Sequence, residues 1–354
     1  MAQLSLSIEK TSLAKIEIFE PSQDALWDDY VSNHCMGTVC HLSGWKNVIE
    51  RTFGHKCLYF YAAESGKIKG ILPLAHMKSR MFGSFLVSLP FLNYGGMLAN
   101  DIKSINLLQK RAIKLAINLK AEYIEYRHQD PLLQNMANKQ HKIAMLLDLP
   151  FSSDILWKNL NPKVRNQIRK AEKNNLDIVS GRQNKINDFY QVFSRNMRDL
   201  GTPVYPMSFF INILNEFESA RIFVVYSYDR PLAAGFTIGM NSKLDIPWAS
   251  SVRKYNHLNA NMLLYWSILK FACESGYTLF DFGRCTPDSS TFRFKKQWGA
   301  YARPLNWQYW LPESNSLPNL SPENGKYKFF ISLWKKLPLT VAEIFGPSIV
   351  KNIP

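Results

Sequence analysis

Residues 221–251 read RIFVVYSYDRPLAAGFTIGMNSKLDIPWASS, and this stretch decides the fold class. Arg221–Tyr228 and Leu232–Met240 are apolar runs rich in β-branched and aromatic residues, which suit strands. Asp229, Arg230 and Pro231 between them supply a turn, so the two runs predict a hairpin. Lys243–Ser251 continues as a third extended segment. Toward the C-terminus, Asn259–Glu274 places Leu263, Trp266, Leu269, Ala272 and Cys273 at helical core spacing. Thr278–Phe282 (TLFDF) is a further strand. A strand–helix–strand unit closes a parallel pair through a right-handed crossover. Added to the hairpin, it predicts a mixed α/β (α+β) sheet.

The first half of the chain repeats this order. Cys57–Ala63 and Ile68–Met77 form a hairpin around Glu64–Lys67, with Ser65 and Gly66 as turn residues. Phe85–Ala99 is apolar and extended, broken by Pro90, Gly95 and Gly96. Ser104–Leu119 has helical spacing, and Ala121–Arg127 is a strand. One constant offset places Leu107 on Leu263, Leu108 on Leu264, Lys114 on Lys270 and Ala116 on Ala272. It also places Ile124-Glu125-Tyr126 on Phe280-Asp281-Phe282, and a slightly longer offset places Gly70 on Gly235. The chain therefore reads as a tandem duplication: a first module over 1–150, a second over 151–312, and a basic tail over 313–354. Remaining expectations are a strand at Lys15–Glu20 and helices at Asp24–Val31, Leu42–Phe53, Asn187–Leu200 and Pro206–Glu218. Ser152–Lys173 reads as one basic helical stretch, Phe292–Trp298 as a short basic helix and Pro304–Leu311 as a strand.

A length of 354 residues suits two domains, and 46% hydrophobic with 20% charged residues excludes disorder and coiled coil. Lys+Arg 43 against Asp+Glu 28 gives +15, which attracts anions such as phosphorylated ligands, nucleic acid or an anionic membrane. Residues 151–312 hold 21 basic and 12 acidic side chains, against 17 and 13 over 1–150. The five cysteines (Cys35, Cys40, Cys57, Cys273, Cys285) form no CxxC pair and read as reduced thiols of a cytoplasmic protein. The N-terminus lacks the pattern of a signal peptide, and no stretch is long and apolar enough to span a bilayer. His34-Cys35 and Cys40-His41 fit no common zinc spacing, so no metal site is expected. No Walker A loop, Rossmann fingerprint or G-x-S-x-G elbow occurs.

The order hairpin, strand, helix, strand resembles the acyl-CoA N-acyltransferase (GNAT-like) fold. Four segments sharpen the resemblance: Lys163-Val164-Arg165-Asn166-Gln167-Ile168-Arg169-Lys170-Ala171, the loop Arg253–Asn261, Phe280-Asp281-Phe282-Gly283-Arg284, and Phe294-Lys295-Lys296-Gln297-Trp298-Gly299. Their succession looks like the Fem-type (FemAB-related) GNAT-like acyltransferases. It is most similar to the FemAB-related proteins associated with exosortase (PEP-CTERM) and exopolysaccharide systems, whose tail resembles Leu333–Leu339. The likeness covers roughly residues 15–312. It implies two tandem GNAT-like modules that transfer an acyl or aminoacyl group to an amine on a phosphorylated cell-envelope precursor, peptidoglycan or exopolysaccharide. The co-substrate it implies is acyl-CoA or aminoacyl-tRNA, with no permanently bound cofactor. Fem enzymes that use tRNA often carry a long coiled-coil arm in the second module, and this chain has none at Trp157–Asn174.

Donor binding falls to Arg253, Lys254, Asn256 and Asn259 in the loop before a helix, where backbone N–H groups and cations stabilise an anion. Asn259 or Asn261 is the expected helix cap. Asp281 has two readings: a base or amine-orienting group, or a structural carboxylate that pairs with Arg284 or caps the next turn. Tyr255 and Lys295 are the further catalytic candidates. Substrate contacts are expected from Arg284, from Tyr94, Gly95 and Gly96 near the acceptor groove, and from Arg165 and Arg169. These last two read first as a solvated helix face, while Arg284 and Lys295 read equally as surface cations on a short helix. The tail mixes aromatic residues with lysines and reads either as a membrane-surface helix at the inner face of the membrane or as a helix docked on the body. Two non-catalytic readings stay open, a membrane-surface adaptor for polysaccharide assembly and an RNA- or tRNA-binding module; DNA is not an expected partner.

Overall fold

The computed structural model describes residues 15–18, 23–79, 82–312, 317 and 325–353. In chain order the first half carries β1 (Lys15–Ile18), α1 (Asp24–Asn33), α2 (Gly44–Phe53), β2 (Lys56–Glu64), β3 (Lys67–Ser79), β4 (Gly83–Val87), β5 (Leu98–Ala99), α3 (Ile102–Asn118), β6 (Ile124–His128), β7 (Ala137–Lys139) and β8 (Ile143–Asp148). The second half follows with α4 (Ser153–Asn159), α5 (Pro162–Lys173), β9 (Leu176–Gly181), α6 (Ile186–Leu200), α7 (Met207–Glu216), β10 (Arg221–Ser227), β11 (Arg230–Met240), β12 (Lys243–Ser251), α8 (Ala260–Glu274), β13 (Leu279–Cys285), α9 (Ser290–Lys296), β14 (Tyr301–Pro304) and β15 (Asn306–Trp310). Two tail helices close the chain, α10 (Gly325–Trp334) and α11 (Leu339–Val350).

The strands form two mixed sheets of matching order. The first runs β1-β2-β3-β4-β6-β15-β7, with β5 added on β3; the second runs β9-β10-β11-β12-β13-β8-β14. Each contains one parallel pair, β4 with β6 and β12 with β13, bridged by the crossover helices α3 and α8. The duplication is also visible in packing. A Cβ on Gly70 would stand 3.0 Å from Leu108 Cδ1 of α3, and one on Gly235 would stand 2.9 Å from Ile268 Cδ1 and 3.6 Å from Leu264 Cδ1 of α8. In both modules a glycine on the central hairpin lets the crossover helix lie close to the sheet.

The boundary expected at residue 150 does not separate the sheets. β8, from the first half, lies between β13 and β14 in the second sheet, while β15, from the second half, lies between β6 and β7 in the first. The modules exchange one strand each. Nothing local marks this, because an apolar strand packs equally well in either sheet and its pairing partner is distant in sequence. The long extended run Phe85–Ala99 also differs. It divides into β4 and β5, and the loop between them holds Leu89 and Phe91 at positive φ. Ser152–Lys173 is two helices, broken where Pro162 starts α5 and Asn161 caps it through Lys163 N at 2.9 Å.

The faces of the two sheets turned toward each other share one core with α1, α2, α6 and α7. Trp27, Trp45, Phe189, Phe193, Phe209, Phe210, Phe236 and Trp307 are buried there. Each such side chain contributes about 1.5–3 kcal/mol by leaving water. Smaller cores lie under α3 and under α8. The tail docks on this body. His55 Nε2 donates to Lys351 O at 2.6 Å, Arg198 Nη1 donates to Leu337 O at 2.7 Å, and Ala342 and Val350 are buried. Its other face leaves Phe329, Phe330, Leu333, Ile344 and Phe345 exposed. Among the described residues no helix is long and apolar enough to cross a membrane.

Candidate active site

The parallel pair β12/β13 is bonded only from Lys243–Leu279 to Asp245–Asp281 and then opens. Pro247 on β12 has no N–H to continue the ladder, and β13 bulges between Asp281 and Arg284. A cavity of about 30 Å³ remains in the gap, lined by Cys40, Asn93, Asp245, Ile246, Asp281 and Gly283. Gly283 has φ 77°, and a Cβ there would lie 3.5 Å from Asn93 Nδ2, 3.6 Å from Ile246 O and 3.9 Å from Lys295 Nζ. A side chain at this position would fill the gap.

Asp281 is fully buried and takes three hydrogen bonds: from Tyr94 Oη at 2.6 Å, Lys243 Nζ at 2.7 Å and Gly283 N at 2.7 Å. Burial alone raises its pKa, but Lys243, Tyr94 and Gly283 N outweigh it and hold the carboxyl below its ordinary value. Its ion-pair partner is therefore Lys243 and not Arg284, as the sequence alone suggested. Lys243 also reaches Asp245 Oδ1 at 3.1 Å. Asp245 Oδ2 is buried with no partner, and burial lifts this carboxyl to about 7, against the attraction of Lys243. Neither Lys243 nor Asp245 was singled out from the sequence. The signal was there, since two charges in an otherwise apolar strand must find partners.

Lys295 stands on α9, which Ser289 caps through Phe292 N at 3.1 Å. It is buried, and its Nζ donates to Gly283 O at 2.9 Å and Arg284 O at 3.0 Å. Burial pushes its pKa down to about 8. An ammonium has three N–H donors, so one remains for a group entering the gap beside Gly283.

A second cavity, of about 210 Å³, opens at the N-terminus of α8 and is lined by Gln167, Tyr255, Asn256, Asn259, Phe294 and Gln297 among others. Gln167 Oε1 is buried there without a partner. Arg253–Leu258 forms a short 3-10 helix, and Arg253 and Lys254 are exposed and do not line the cavity. Asn259 adopts φ 59° and makes no side-chain cap, so the expected capping by Asn259 does not occur. The first N–H groups of α8 therefore find no acceptor in the N-cap side chain.

The remaining candidates disperse. Tyr94 joins the Asp281 network. Gly95 and Gly96 serve packing: a Cβ on Gly95 would meet Leu89 Cβ at 2.7 Å, and one on Gly96 would meet His128 Cδ2 at 2.2 Å. Gly96 also lines a separate cavity of about 550 Å³ with His34, His41 and His128. Burial pushes His41 and His128 down to about 3 and about 4, which keeps both neutral. Arg165 and Arg169 lie on α5 away from the gap, with Arg169 over the Trp157 ring at 5.5 Å. Among the described residues no group of three or more His, Cys, Asp or Glu is placed to hold a metal, and all five cysteines are free.

Comparison with known proteins agrees with this fold. Residues 160–296 match the family model of the acetyltransferase (GNAT) domain. That span holds α5, the α8 cavity, the open strand pair and Lys295. By structure the chain is similar to FemX, at TM-score 0.64 and 15% identity over 83% of this chain and 96% of that one. It is also similar to L-PGS from Bacillus licheniformis, at TM-score 0.54 and 13% identity over 91% and 99%. A tandem GNAT protein from the clavulanic acid biosynthesis pathway matches at TM-score 0.53 and 10% identity over 86% and 100%. No curated protein matches by sequence. The protein thus has the Fem-type fold of two tandem GNAT-like modules, and residues 160–296, in the second, match the GNAT domain model.

Proposed function

We propose that the protein transfers an acyl group from an activated donor to an amine on a cell-envelope precursor. The observation that carries this reading is the open β12/β13 pair with Lys295 Nζ beside it, in the same module as the helix-terminus cavity. Phosphate groups of the donor lie at the α8 terminus, where the helix dipole and free N–H groups favour an anion. The donor carbonyl enters the gap. The amine nitrogen bonds to the carbonyl carbon, the carbon–sulfur bond of a thioester donor breaks, and the amine's proton leaves with the thiol. Lys295 donates its third N–H to the oxygen on which charge develops. Asp245, lining the gap at about 7, takes and returns the proton. Asp281 holds Lys243 and Tyr94 in place and is not itself the base. An acyl-CoA is the donor class this reading favours, supported by the match of residues 160–296 to the acetyltransferase (GNAT) domain model.

The test is calorimetric titration of the purified protein with acetyl-CoA, longer acyl-CoAs and aminoacyl-tRNA at low salt. One saturable site for an acyl-CoA is expected; binding of aminoacyl-tRNA alone would change the donor class, and binding of neither would end the transferase reading. The tail fits a place at the inner face of an anionic membrane. Its docked face fixes α10, while Phe329, Phe330 and Leu333 stand exposed beside Lys335 and Lys336. Replacing Phe329 and Phe330 together by serine should lower co-sedimentation with phosphatidylglycerol vesicles at least about fivefold, since each buried methylene is worth about 0.8 kcal/mol. Sedimentation equal to wild type would contradict it.

A further inference from the structure

At the junction of the two sheets three nitrogen donors meet without an acceptor. Arg127 lies on β6, Trp307 opposite it on the exchanged strand β15, and Arg284 on β13. The Arg127 guanidinium carbon is 4.5 Å from the Trp307 ring centroid and that of Arg284 is 5.1 Å from it. The two cations share one indole and are no farther apart than those distances combined. Arg127 is fully buried. Its Nε donates to Glu125 Oε1 at 2.7 Å and its Nη1 to Leu92 O at 2.7 Å, but its Nη2 has no partner. Arg284 Nη1 and Trp307 Nε1 are buried and unpartnered as well.

The charge is also unbalanced. Arg127, Glu125, Tyr205 and Tyr309 are the groups that act on the Arg284 charge, and the buried Lys295 lies close as well. Glu125 is the one carboxylate among them, and it is already bonded to Arg127 and to Tyr309 Oη at 2.8 Å. Burial first, and then the neighbouring Arg127, push Arg284 down to about 10. Buried donors without acceptors and an uncompensated, partly buried cation both cost free energy, and an oxyanion would satisfy both at once. Guanidinium forks match the oxygens of carboxylate and phosphate, and an indole N–H adds a third donor. Arg284 is only partly buried, and the exposed His141 ring stands 5.5 Å from Trp307, so the cluster lies close to the surface.

We infer that Arg127, Arg284 and Trp307 bind an oxyanion group, carboxylate or phosphate, of the acceptor molecule. That the anion belongs to the acceptor rests on the transferase reading; anion binding itself does not. The site needs strands from both modules, so neither module builds it alone.

Inorganic phosphate and succinate, titrated at constant ionic strength into the full protein, test this. Saturable binding of at least one is expected. Phosphate alone would assign a phosphate group, succinate alone a carboxylate, and both an oxyanion site that does not discriminate. Arg284→Met and Trp307→Phe should each weaken that binding by at least about tenfold, the scale of a charge-assisted hydrogen bond. In anion-free buffer Arg284→Met should unfold at the same temperature as wild type or higher, because it removes an uncompensated charge. If Arg284→Met fails to fold, Trp307→Phe, which keeps the ring packing, decides. Acyl-CoA binding is measured on the same samples, so its absence in wild type would count against the transferase reading alone. No saturable binding of either anion, or binding unchanged in the variants, would overturn the site.

Discussion

Lys295→Met should lower the turnover of acyl transfer by about 10²–10³-fold, the usual effect of removing one donor from a developing oxyanion. Donor affinity should stay within about twofold, because Lys295 is not among the residues lining the α8 cavity. The methionine keeps the length of the side chain but leaves Gly283 O and Arg284 O without their shared donor. A stability loss of about 1–3 kcal/mol is therefore expected as well. Steady-state kinetics, calorimetric titration of the donor and thermal unfolding separate the effects. A folded variant that keeps turnover within about tenfold of wild type would remove Lys295 from the reaction.

Asp281→Ala should destabilise the protein by about 3–5 kcal/mol, the cost of breaking a buried ion pair on one side. Lys243 would keep only Asp245, and the Tyr94 hydroxyl would lose its acceptor. Urea unfolding at pH 7 reads this directly, and a loss under about 1 kcal/mol would contradict it. Asp281→Asn divides structure from chemistry. The Asp281 charge raises the Asp245 pKa, so removing it lowers that pKa and strengthens the Lys243–Asp245 pair. A base must be deprotonated to act, so activity falls below its pKa; a lower pKa moves the acid limb of the pH–rate profile to lower pH. Loss of all activity, with the protein folded and no shifted limb, would instead make Asp281 the base.

Some of the candidate site is legible in the sequence, at the level of segments. The Lys295 segment, the loop before α8 and the Asp281 strand do converge on one module. Roles within them were less legible. Arg253 and Lys254 stand out as cations in a polar loop, yet they do not line the cavity, whereas Asn256 and Asn259 of the same turn do. Asp281 drew notice as a charge among Leu279, Phe280 and Phe282. Its partner could not be read, because Lys243 lies on the parallel neighbour and Tyr94 comes from the other module.

From the sequence alone came the tandem modules, the hairpin–strand–helix–strand order and the match of Gly70 to Gly235. These rest on local periodicity and backbone freedom, which each segment carries within itself. Only the tertiary structure decided the strand exchange, and with it which charges meet. Glu125 receives a hydroxyl from Tyr309 on the exchanged strand, and Asp281 receives one from Tyr94 of the opposite module. Such pairs join residues far apart in the chain, and whether a buried charge is satisfied, reactive or waiting for a ligand depends on those distant partners.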